Sequence, residues 1–123
     1  MIDVVTLGEL LIDFTTSSVD SDGYPLMQAH AGGAVANFLA VNSKFGLKTA
    51  LIGKVGNDTF GKLLIKTLEK CGIDTSGMVV DDNVFTTLAF VTLDSSGDRD
   101  FAFSRKPGAD TMLRFDEVNF SLI

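Results

Sequence analysis

The alternation of apolar and polar positions divides the chain into a short list of elements. Val4 to Leu7 is a β-branched run closed by Gly8, the pattern of a buried strand, and Thr49 to Val55 reads the same way. Between them lies Ala31 to Gly46, AGGAVANFLAVNSKFG, apolar on nearly every face of a helix. Such a segment predicts a helix enclosed by its neighbours, with Gly46 as its stop. Strand, helix and strand in that order predict a parallel βαβ unit with a right-handed crossover. A second helix starts at Asp58, a good N-cap. It places Phe60, Leu63, Leu64, Leu68 and Cys71 on one face and Lys62, Lys66, Glu69 and Lys70 towards water, and it ends at Gly72. Cys71 on that face reads as a small core residue.

The remaining segments are shorter. Met78 to Val80 predicts a strand before an Asp81-Asp82-Asn83 turn, and Thr87 to Leu93 with Asp98 to Arg105 predict a hairpin around Asp94–Gly97. A period of two puts Arg99, Phe101, Phe103 and Arg105 on one face, either a half-buried amphipathic strand or the wall of a cleft. Lys106 to Asp110 turns back to the main body, and Phe115 to Val118 begins a further helix. Between the first strand and the first helix sits an insertion, Leu10 to Ala29. It comprises an apolar run Leu10–Ile12, a polar loop Thr15–Tyr24 and a short strand Leu26–Ala29. The class is α/β.

Composition narrows the function more than the fold. The 123 residues suffice for one domain, with 46% hydrophobic and 21% charged positions. Ten basic against 16 acidic residues give a net charge of −6, which argues against a nucleic-acid partner. Apolar runs are too short and too often broken to span a membrane. The acidic start MIDVVTLGELLIDF is no signal peptide, and the single cysteine, Cys71, makes no internal disulfide, so the expected compartment is the cytoplasm. His30, the only histidine, has no partners for a metal site or a Ser-His-acid set. The apolar tail Asn119–Ile123 reads as an interrupted chain.

Candidate chemistry gathers around the first helix. Gly32 and Gly33 remove side chains where the chain enters it, and the helix start offers unpaired N–H groups with the positive end of the dipole behind them. Asn37, one turn in, supplies a donor and an acceptor; it serves either a hydroxylated small molecule or a neighbouring loop. Asp13 stands among apolar neighbours, either as an exposed turn acid or as a charge-assisted acceptor for hydroxyls. Gly56 to Lys62 comes close to a phosphate-binding P-loop. It fails because Leu63 stands where Ser or Thr must hold magnesium, and because Phe60 already belongs to the helix.

These pieces together resemble the N-terminal signature of the ribokinase-like (PfkB) sugar kinases. They are Gly8-Glu9 with Asp13, then Gly32-Gly33-Ala34 with Asn37 and Ala40, then Gly53-Lys54-Val55-Gly56-Asn57-Asp58 with Gly61. Thr87–Leu93, Gly97, Arg99, Phe101 and Phe103, followed by Arg105-Lys106-Pro107-Gly108-Ala109-Asp110, are similar to the fructokinase branch. The resemblance implies one sugar kinase domain: a doubly wound α/β body, about 1–9, 30–83 and 107–123, with a small β lid, about 10–29 and 84–106. It implies that Asp13, Gly32, Gly33 and Asn37 hold a small-molecule sugar, with Phe90, Phe103 and Arg105 facing it from the lid. It further implies ATP and Mg²⁺ as partners of the full-length enzyme and a homodimer through the lid. The ATP site, the anion hole and the catalytic base are expected in a C-terminal half, so no catalytic residue is assigned here and Asp13 is a binding group. Rivals are 2-keto-3-deoxygluconate, whose carboxylate Arg105 would meet, another substrate of the family such as ribose or a nucleoside, and a truncated, non-catalytic sugar-binding or dimerising module. Val35 stands where fructokinases commonly have Pro, and Ser104 and Lys106 also depart from the pattern.

Overall fold

The computed structural model describes residues 1–123, built from two sheets and two helices. The first sheet is parallel, with order β1-β4-β5, and comprises β1 (Val4–Leu7), β4 (Thr49–Gly56) and β5 (Ile73–Asp81). The helices are α1 (Ala34–Lys44) and α2 (Thr59–Lys70). The second sheet has order β3-β2-β6-β7, from β2 (Leu11–Val19), β3 (Pro25–Gly32), β6 (Leu88–Leu93) and β7 (Arg99–Ser104). Its central pair, β2 and β6, is parallel, and both outer pairs are antiparallel.

Every residue of β4 is buried, as expected of a central parallel strand that reads as one apolar run. Leu51 and Val55 of β4 meet Leu39 of α1 and Leu64 and Leu68 of α2 in one core. Leu10 and Ile12 join it, so β2 starts inside the core and then leaves it. No helix is long and apolar enough to cross a membrane.

Several expectations need correction. The predicted loop Thr15–Tyr24 is mostly strand: β2 runs on to Val19, and only Asp20–Tyr24 turns, with Asp20 accepting from the Asp22 and Tyr24 N–H groups at 2.9 Å each. Past Thr16 the strand is exposed, so its Ser and Thr residues carry no apolar alternation to read. The predicted strand Met78–Val80 is the end of a longer one beginning at Ile73. Helix α1 is not enclosed: Ala36 and Leu39 are buried, but Phe38 and Val41 are each 53% exposed. On α2, Leu63 faces out, and Cys71 is exposed because the helix ends at Lys70. The helix predicted from Phe115 is a single 3-10 turn, Phe115–Glu117, one of three short turns closing the chain. Glu117 turns back to accept the Arg114 N–H at 2.9 Å, and Val118 leaves with extended dihedrals.

Candidate functional site

One face of the second sheet brings the candidate residues Asp13 and Phe103 into register. Across the strands His30 pairs with Asp13, Asp13 with Ala89, and Ala89 with Phe103, so these four side chains form a row on the same face. A depression of about 330 Å³ continues along that face, lined by Asp13, Thr15, Thr16, Val91, Leu93, Arg99 and Phe101. Asp13 is half-buried and receives no hydrogen bond from the chain. Burial first, and the nearby Glu9 carboxylate second, push its carboxyl above the usual range, with His30 acting in the opposite sense. A half-buried carboxylate with no donor from the chain is free to accept hydrogen bonds from hydroxyls of a ligand.

Gly32 and Asp13 touch: a Cβ on Gly32 would overlap the Asp13 Oδ2 atom. Glycine is therefore what lets the carboxylate lie against the entry to α1. Gly33 is the N-cap of α1 at φ 117°, and a Cβ there would stand 2.5 Å from the Glu9 carbonyl oxygen. The Glu9 backbone and the positive φ together therefore require glycine at this position. Asn37 is exposed and lines a groove of about 200 Å³ between α1 and α2, which Gly32 also borders. Gly32 is the residue that links the Asp13 side to the Asn37 side.

Phe90 and Arg105, expected to face a sugar from the lid, make contacts within the chain. Phe90 lies on the opposite face from Asp13. It stacks on Phe14 with ring centroids 5.3 Å apart, and Phe14 in turn meets Phe60 of α2 edge-on at 5.6 Å. The cause is the period of two, which separates Phe90 from Ala89 by one position. Phe90 thus packs the sheet onto the body, on the face opposite Asp13. Arg105 is not free: its Nη2 donates to Glu9 Oε2 at 2.5 Å and to the Asp110 carboxylate, and Asp110 also accepts from Thr87 Oγ1. The Asp110 carboxylate first and the Glu9 carboxylate second hold the guanidinium firmly protonated, against the opposing effect of partial burial. Glu9 and Asp110 were missed as site residues. The signal for the first was an acid four positions before Asp13, and for the second an acid five positions after Arg105 across a Pro-Gly turn.

The glycine block after β4 is a structural knot, in keeping with the rejected P-loop. Asp58 caps α2 by accepting the Gly61 N–H at 2.8 Å, and it also accepts from the Thr86 N–H at 2.9 Å. The Gly56 N–H donates to Thr86 Oγ1 at 3.0 Å. A Cβ on Gly56 would overlap Asp58, and one on Gly61 would overlap the Gly56 carbonyl. Carboxylate and hydroxyl of the protein thus fill the place a phosphate would need. No three His, Cys, Asp or Glu side chains converge to hold a metal ion.

The family model described as "pfkB family carbohydrate kinase" matches residues 1–122. Among curated proteins, "Probable fructokinase-3" of Arabidopsis thaliana is 45% identical over 98% of this chain. Among solved structures, fructokinase from Xylella fastidiosa matches with a TM-score of 0.90 and 33% identity, over 96% of this chain and 37% of that one. The same enzyme with bound ATP matches at 0.89 and 31% identity, over 98% of this chain and 39% of that one. The chain spans 35% of the length of the Arabidopsis protein.

Proposed function

This chain belongs to the pfkB family of carbohydrate kinases, and from that premise we propose that it is the sugar-gripping part of an ATP-dependent fructokinase. The complete protein would move the γ-phosphoryl group of ATP, with Mg²⁺, onto a primary hydroxyl of fructose. The observation that carries the reading is the Asp13 carboxylate, without hydrogen bonds from the chain, laid on Gly32 in the same row as Phe103. In this reading Asp13 accepts sugar hydroxyls and Asn37 bonds another from the helix side. Phe103 offers its ring, and the sheet acts as a lid. Phosphoryl transfer is then mostly positioning and charge stabilisation, and this chain supplies the first of these for the acceptor. Nothing in the Gly56–Gly61 knot fits a nucleotide, and in this reading ATP and Mg²⁺ are held by other residues of the complete protein.

Fructose is preferred to a keto-acid sugar because the guanidinium that would meet a carboxylate, Arg105, is already held by Glu9 and Asp110. Initial rates of the complete kinase on fructose, 2-keto-3-deoxygluconate, ribose and a nucleoside test this directly. The highest kcat/KM is expected for fructose, and a clear preference for any of the others overturns the substrate assignment. The 123-residue chain by itself is expected to release no ADP in a coupled assay with ATP, Mg²⁺ and fructose. Turnover that scales with chain concentration and is lost in Asn37→Ala would place a catalytic centre within these residues.

The lid reading carries a partner. Leu93, Phe101 and Phe103 share the Asp13 face and are 70%, 50% and 50% exposed, and both outer strands, β3 and β7, have open edges. A second copy of the chain covering this face would bury that apolar surface. Light scattering of the complete protein at micromolar concentration is expected to give the mass of a dimer, and a monomer mass there contradicts it.

A further inference from the structure

Three charged side chains from distant parts of the sequence meet where the second sheet joins the body. Glu9 precedes β2, Arg105 follows β7, and Asp110 lies in the first 3-10 turn. Asp110 is 1% exposed and receives both the Arg105 guanidinium and the Thr87 hydroxyl. Thr87 leads into β6 and Arg105 leads out of β7, so one buried carboxylate grips both roots of the β6–β7 hairpin. Two residues in from those roots stand Ala89 and Phe103, the pair that continues the Asp13 row. The Arg105 guanidinium also sits 5.8 Å from the centre of the Phe103 ring.

We propose that Arg105 is a positioning residue for sugar binding that acts through Glu9 and Asp110, fixing the hairpin alongside Asp13 in the sheet and neutralising the Glu9 charge near it. This rests on the reading of Asp13 as the acceptor of sugar hydroxyls. The charged groups facing Asp13 are Glu9, His30 across the strand pair and, along the depression, Arg99. Glu9 already disfavours the ionised form of Asp13. Without Arg105 its charge is uncompensated, and Asp13 takes up a proton at higher pH. The hairpin also loses the tie that holds Phe103 in the row that Asp13 begins.

The test compares Arg105→Met, Glu9→Gln, the double variant and Arg105→Lys in the complete kinase. Arg105→Met is expected to raise KM for fructose at least tenfold, leave KM for ATP unchanged and move the acid limb of kcat/KM to higher pH. Arg105→Lys recovers part of the loss. In the Glu9→Gln background the acid limb returns and the further cost of Arg105→Met shrinks severalfold. Amide exchange over residues 88–104 quickens at least tenfold in Arg105→Met, while that of residues 49–56 does not change. Equal losses with and without Glu9, as a direct sugar contact would give, overturn the proposal, and so does unchanged exchange in the hairpin. If the unaltered kinase turns over no fructose, the substrate reading fails, and the exchange comparison still decides for or against the clamp.

Discussion

Asp13→Asn is expected to lower kcat/KM for fructose about 10- to 150-fold, equivalent to the roughly 1.5–3 kcal/mol of a hydrogen bond to a charged group. KM for ATP should stay unchanged. The substitution keeps the shape of the side chain and removes the charge, so what is lost is the charge-assisted bond to sugar hydroxyls. Stability should move the other way. The Asp13 carboxyl is pushed above its ordinary range, so the ionised form is disfavoured in the folded protein. For an acid with a raised folded pKa, the folded state binds more protons than the unfolded one, and stability falls as pH rises through that window. Removing the charge therefore leaves the thermal midpoint at neutral pH equal or higher. Lost activity without lost stability marks a residue placed for a ligand. The same raised pKa predicts an acid limb of kcat/KM lying above the ordinary carboxylate range, absent in Asp13→Asn. A thermal midpoint that falls together with activity would return Asp13 to a structural role.

Lys54→Met is expected to destabilise the protein by about 3 kcal/mol, in the range for breaking one side of a buried ion pair. Lys54 stands in the fully buried strand β4 and is 3% exposed. Its ammonium meets Asp81 at 3.0 Å, Glu117 at 2.9 Å and the Met112 carbonyl at 3.2 Å. Burial works against the charged form, and the Glu117 and Asp81 carboxylates more than offset it, so Lys54 stays protonated. Methionine of similar length would leave two carboxylates facing each other and would release the 3-10 segment from the sheet. Asp81 is held below its usual range by the Asn83 N–H and then by Lys54, and Glu117 by the Arg114 N–H and then by Lys54. Their contribution is present above the ordinary carboxylate pKa and is lost as pH falls through the lowered values. Denaturant unfolding from neutral pH down through that range should show the acid-dependent loss in the unaltered protein and a weaker dependence in Lys54→Met. A variant with an unchanged midpoint would show that the network adds nothing to stability.

Much of this was legible in the sequence because local patterns coincide with tertiary ones. The strands β1 and β4 and both helices follow from apolar runs bounded by Gly8, Gly46, Asp58 and Gly72. Asp13 and Gly32 were legible as chemistry, a carboxylate among apolar residues and a gap in the side chains, and the structure brings the two into contact. Three things were hidden for identifiable reasons. The outer half of β2 is solvated on both faces, so its sequence looks like a loop. Phe90 and Phe103 are both aromatic residues of one hairpin, and only the register shows that they face opposite ways. The Glu9–Arg105–Asp110 chain joins positions 96 residues apart, a contact no local pattern encodes.

Whether a sugar lies on the Asp13 face of the second sheet is read directly from a crystal structure of the complete kinase with fructose bound. A sugar hydroxyl is expected about 2.6 Å from a carboxylate oxygen of Asp13. The sugar ring is expected beside Phe103, with Arg105 still on Glu9 and Asp110 and no contact from Phe90. Fructose seated against Phe14 and Phe90, or bound with Asp13 free of it, would place the sugar site elsewhere.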